Sequence, residues 1–129
     1  MLVEVAIGEV VDKITILQIK YERIDDPVRL EDVLTELNIL TRSLSDNNLD
    51  VDEDFFTRLK KINETIWDTE GKLRSDDISD EEFILAARDN AKYNDQRFVV
   101  KNEVNKKYDS LVREQKAHST IYPTDRTVD

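Results

Sequence analysis

The sequence predicts an all-α protein, a four-helix bundle-like domain with a long, kinked or overhanging C-terminal helix and a short extended N-terminal segment. Three observations predict it. Two glycines and two prolines in 129 residues are too few to punctuate strands and hairpins. Apolar residues recur at steps of three and four through four segments, the helical spacing. Short loops rich in Asn, Asp and Ser separate those segments. The length fits one domain over residues 1–129, large enough to bury a core without staples. Within it, residues 1–7 read as an extended arm and residues 118–129 as an irregular C-terminal tail.

The first helix is expected from Gly8 to Ile24, with Val10, Ile14, Leu17, Tyr21 and Ile24 as its core stripe. Ile16 and Ile19 lie off that stripe, so a second face is buried as well. Such a helix is either central to the bundle or part of a subunit contact. Asp25-Asp26-Pro27 reads as a stop and restart, with Asp26 as N-cap and Pro27 at the first helical position. Leu30, Val33, Leu37, Leu40 and Leu44 then give the second helix its stripe. After the polar loop from Ser45 to Val51, a third helix begins at Asp52 or Glu53 and runs to Arg74. Phe55, Leu59, Ile62, Ile66 and Leu73 form its core face. Ser79 and Glu82 have the spacing of a capping box, which opens the fourth helix. Its periodicity runs to Gln115, ~35 residues or about 50 Å.

The fourth helix carries polar residues where a core stripe belongs. Phe83, Ala87, Asn90, Asn94, Phe98, Lys101, Asn105, Tyr108 and Val112 share one face. Amides and an ammonium there are costly unless they find partners or a ligand. A second register, Ala86, Tyr93, Val100, Val104 and Leu111, also shares a face. With that face inward, the asparagines lie at its edge and form an amide network between helices. Both readings stay open at this level.

Two further polar sets flank the apolar stripes. The third helix aligns Phe56, Asn63, Trp67, Glu70 and Arg74, which puts an amide, an indole and a carboxylate within reach of one another. The first helix aligns Glu9, Lys13, Ile16 and Lys20, with Asp12 close by. Glu9 and Lys13 have the favourable i to i+4 order for an ion pair. If these flanks face the Asn94 stripe, Lys13, Lys20, Arg97 and Lys101 surround the amides of a mixed polar pocket suited to an anionic small molecule. Glu9, Asp12 and Glu70 are the carboxylates available to a Mg²⁺ ion, which takes oxygen ligands. All-helical nucleotide pyrophosphohydrolases use carboxylates on facing helices, but their paired E-x-x-E and E-x-x-D segments do not occur together here.

Several function classes are excluded. The absence of cysteine removes disulfides, thiolate metal sites and cysteine nucleophiles. One histidine, His118 in the expected tail, argues against a Ser-His-Asp triad. No glycine-rich phosphate loop is present. A net charge of −10 argues against binding nucleic-acid phosphates. No apolar run approaches the ~20 residues that span a bilayer and no signal-peptide pattern opens the chain. The expectation is a soluble cytoplasmic protein, acting on neither membrane nor nucleic acid.

Three segments carry a resemblance. They are GEVVDKITILQIKYERI from Gly8 to Ile24, NETIWDTEGKLR from Asn63 to Arg74, and ARDNAKYNDQRFVVKNEVN from Ala87 to Asn105. Together they resemble an uncharacterised family of small bacterial and phage proteins, a domain of unknown function. Bacterial members are associated with glycosyltransferase and surface-polysaccharide gene neighbourhoods. The resemblance spans Val3 to about Lys116 and matches Gly8, Glu9, Asp12, Lys13, Thr15 and Lys20 in the first segment. In the second it matches Asn63, Trp67 and Glu70, and in the third Arg88, Asn94, Asp95, Arg97, Lys101 and Asn105. Family members often close on an acidic E-E-K-like segment, where this chain has Arg113-Glu114-Gln115-Lys116. The resemblance implies no established activity, but it points to the same polar residues as the periodicity.

The functional expectation is therefore a non-enzymatic assembly or protein-interaction module, homo-oligomeric with a dimer favoured. The alternatives are a binding protein for a nucleotide sugar or other anionic metabolite, and a Mg²⁺-dependent hydrolase.

Overall fold

The structure, a computed structural model, describes residues 1–118. It contains four helices, α1 (Ile7–Arg23), α2 (Pro27–Asp46), α3 (Glu53–Leu73) and α4 (Asp80–Lys107). No strand occurs among the described residues. Residues 1–6 precede α1 without regular structure. The expected tail lies outside the described residues, apart from its first residue, His118.

The local signals act as their chemistry requires. Asp26 caps α2 through its carboxylate, which accepts the Val28 N–H at 3.0 Å, with Pro27 next to it in the first turn. Ser79 Oγ accepts the Glu82 N–H at 3.2 Å at the start of α4. Only this half of the capping box forms among the described residues.

α1 is the central element and packs against each of the other three helices. This explains its two apolar faces, with Val11, Ile14, Leu17 and Ile19 all buried. Tyr21 departs from the expected stripe and is half exposed. α3 and α4 pack against each other as an antiparallel pair, and α2 packs on α1. The main apolar cluster joins Val11 and Ile14 of α1 to Leu44, Phe55, Leu59, Val100 and Val104.

α4 corrects two expectations. Its inward face merges the two registers: Ala86, Val100 and Val104 from one, Phe98, Lys101 and Asn105 from the other. Phe83, Ala87 and Leu111 are exposed. The helix also stops at Lys107, 28 residues in, about 42 Å long. Asp109 takes a left-handed conformation, φ 54°, and the Ser110 N–H bonds back to the Asn105 carbonyl at 2.8 Å. That six-to-one bond closes a Schellman motif, which usually signals itself by glycine. Asp109→Gly is accordingly expected to stabilise the fold by about 0.5–1 kcal/mol, read as a higher urea midpoint with unchanged slope. Beyond this turn the chain doubles back along α4, where Glu114 reaches Lys101 at 3.2 Å and Lys116 reaches Asp95 at 3.4 Å.

Candidate binding cleft

The eleven polar residues picked out by periodicity divide into separate groups. One group holds the start of α1. Its N-cap, Ala6, offers no side-chain acceptor, so the orphan N–H groups of the first turn are capped from the far end of the chain. Asn105 Oδ1 accepts the Gly8 N–H at 2.7 Å, and Ser110 Oγ accepts the Ile7 N–H at 3.0 Å. Beside them the buried Lys101 ammonium pairs with Glu9 at 2.7 Å and with Glu114. The Glu9–Lys13 pair is therefore not formed. Tertiary partners outbid the local one, and Lys13 turns to Glu36 of α2 at 3.0 Å.

A second group lies at the junction of α1, α3 and α4. Asp12 is fully buried. Arg97 Nε donates to its two oxygens at 2.9 and 3.0 Å, and Nη2 donates to Oδ2 as well. Asn63 Nδ2 donates to Asp12 Oδ1 at 2.8 Å and to Thr15 Oγ1 at 2.9 Å, while the Thr15 hydroxyl donates to the Asp12 carbonyl at 2.7 Å. Burial works against the Arg97 charge, but the hydrogen bonds and charge of Asp12, with Glu9 and Glu114 further out, outweigh it and raise its pKa. Among the described residues no buried side-chain nitrogen or oxygen lacks a partner. Asn63 and Asn105 each hydrogen-bond across to α1. Asn94 is half buried and spends its amide on the Asn90 carbonyl at 2.9 Å, within its own helix.

The third group lines a cleft of about 410 Å³ on this junction. Ile16, Ile19, Ile66 and the Trp67 indole form its apolar walls, with Gly71 at one edge. Lys20, Arg74, Arg97, Asn63 and Glu70 supply the polar groups. Arg23 sits over the Trp67 ring at 5.7 Å. Glu70 is occupied by Arg74 Nε at 3.3 Å and by the Asn90 amide at 3.4 Å. Lys20 makes no ion pair with a described residue, and Arg97 Nη1 donates to none. Arg97 is one-quarter exposed, so one edge of its guanidinium remains available from the cleft.

Five of the eleven expected residues thus meet here: Lys20, Asn63, Trp67, Glu70 and Arg97. Glu9, Asp12, Lys13, Asn94, Lys101 and Asn105 do not line the cleft. Arg74 and the isoleucine walls, absent from the expected set, belong to it. The three carboxylates expected for Mg²⁺ lie in different settings. Glu9, Asp12 and Glu70 each hold a different cation or amide. No group of three His, Cys, Asp or Glu side chains among the described residues is placed to hold a metal ion.

A model for a family described only as a family of unknown function, DUF6165, matches residues 1–127. The chain belongs to that family. No curated protein and no solved structure matches it. Among the described residues, no helix is long and apolar enough to cross a membrane.

Proposed function

We propose that this DUF6165 chain is a non-enzymatic binding module whose cleft takes an anionic small molecule with an apolar or planar portion. One observation carries the reading. Lys20, Arg74 and Arg97 converge on an apolar, tryptophan-walled cleft whose one lining carboxylate is already engaged. Among the described residues Asp12, paired with Arg97, is the only further acid that forms an ion pair with that set, so the lining keeps a positive balance on a chain of net charge −10. Clefts of a few hundred Å³ with apolar walls and a few placed polar groups are the usual form of a small-molecule site. A nucleotide sugar, nucleoside diphosphate or sugar phosphate matches this chemistry, with its phosphate oxygens on the cations and its flat or apolar part against Trp67.

Trp67 is the chain's one tryptophan, so its emission reports directly on the cleft. Titration with UDP-glucose, nucleoside diphosphates and sugar phosphates is expected to give a saturable change with at least one of them. Lys20→Ala should weaken that binding about tenfold, the equivalent of one charge-assisted contact of roughly 1.4 kcal/mol. A panel without any saturable change overturns the reading.

A separate observation favours an assembly role for the same chain. Phe83, Ile84 and Leu85 are consecutive, exposed and apolar at the start of α4. Successive helical residues point ~100° apart, so this turn is apolar over more than half its circumference. A turn of that kind is ordinarily buried. On this second reading the chain associates with itself.

A further inference from the structure

The opening turns of α4 differ from the rest of the helix in both packing and charge. From Asp80 to Lys92 only Ala86 is fully buried, whereas six residues from Asp95 onward are. At ~100° per residue, Glu81, Ile84, Leu85, Arg88, Ala91 and Lys92 fall on the side of the helix away from Ala86. All six are exposed. Ile84 and Leu85 leave 53% and 61% of their surfaces open. Glu81, Arg88 and Lys92 make no ion pair with any described residue. The face ends at Asp95, which is buried beneath the returning segment and held there by Lys116.

The order along this face is an acid, two apolar residues, then bases. That order is complementary to its own reverse. Laid antiparallel against a copy of itself with the symmetry axis between Ile84 and Leu85, the face sets Glu81 opposite Arg88 of the second copy. Ile84 then meets Leu85 of the second copy, and two-fold symmetry repeats both contacts. A parallel pairing would instead put Glu81 against Glu81 and Arg88 against Arg88, and like charges at close range repel.

We infer that two copies of this chain pair through the outer face of α4, antiparallel, about a two-fold axis between Ile84 and Leu85. This rests on the reading that the chain self-associates, and it adds the surface and its geometry. Four apolar side chains framed by two ion pairs make a small interface, of the class that associates weakly. The binding cleft uses Arg97 and the α1 and α3 walls, so it remains open in the pair.

The absence of cysteine makes the test direct. Leu85→Cys places the two introduced thiols about one residue rise apart along the pair, within reach of a disulfide at close helix packing. Ala91→Cys places them about 20 Å apart by the same register. Under mild oxidation the first variant should cross-link as a dimer and the second should not. In parallel, sedimentation velocity from about 1 µM to 1 mM should show a dimer in the unmodified chain. Glu81→Arg or Arg88→Glu alone should weaken that dimer at least about tenfold, since each converts two attractions into two repulsions. The combined Glu81→Arg/Arg88→Glu variant should restore it.

A dimer indifferent to the charge reversals, or one that cross-links equally at both positions, overturns the α4 pairing and leaves self-association standing. A chain that stays monomeric throughout overturns both.

Discussion

Replacing Arg97 with methionine is expected to cost about 3–5 kcal/mol of folding stability. Asp12 is fully buried, and Arg97 is its only cation partner among the described residues. The methionine leaves a charged carboxylate held by one amide from Asn63, deep in the junction of three helices. Removing one member of a buried pair costs far more than the pair itself contributes, because the other charge stays desolvated. In a chain of this length the loss corresponds to a fall of about 10–20 °C in melting temperature. The double variant Asp12→Asn/Arg97→Met should recover most of it, since it removes the stranded charge and keeps an acceptor for Asn63. A loss below about 1 kcal/mol in the single variant would mean that water reaches Asp12.

The pH dependence of this effect follows from the direction of the Arg97 shift. Its pKa is raised in the folded chain, so its contribution is fully present below the unfolded value and is lost only as pH rises through the folded one. Both lie above the range in which such a protein is studied. The difference between Arg97→Met and the unmodified chain should therefore stay level across neutral and mildly alkaline pH.

Gly8→Ala is the second large effect, and it runs against helix propensity. Alanine inside a helix normally gains up to about 1 kcal/mol over glycine. At Gly8 a Cβ would lie 2.9 Å from Asn105 Oδ1 and 3.0 Å from the Lys101 carbonyl carbon, and closer still to the Lys101 oxygen. The last two are backbone atoms of α4 and cannot swing aside. Separating α1 from α4 to admit the methyl group would also stretch the Gly8 N–H to Asn105 bond. The net expectation is a loss of about 2–3 kcal/mol, the upper range for overpacking, measured as a lower urea midpoint. Gly71, with nothing near its own absent Cβ, is the internal control. There alanine should be neutral or stabilising. A neutral Gly8→Ala would show that the two helices can part without cost.

The fold was legible because each signal is local. Asp26 and Pro27 open α2 through bonds to neighbours one or two residues away, and the Ser79 cap spans three. The end of α4 was not legible, since Asp109 sits in the left-handed position that glycine usually announces. Nor was the fate of Glu9, which faced a local partner in Lys13 and a distant one in Lys101. A buried ammonium needs its counter-charge more than an exposed one does, and burial is a property of the packed bundle.

The candidate cleft divides along the same line. Periodicity alone picked out Asn63, Trp67 and Glu70 as one flank of α3, because i, i+4 and i+7 spacing fixes a shared face whatever lies opposite. Only the packed structure decided that Lys20 and Arg97 join that flank while Lys101 and Asn105 turn to the start of α1. Helix, cap and face are set by interactions within a few residues, and the chain determines them by itself. Which faces meet depends on where α1 is inserted between helices some 50 and 90 residues away. That choice, made by the competition of apolar burial and buried charge pairing across the whole bundle, divided the expected polar residues among a helix cap, buried ion pairs and the lining of a cleft.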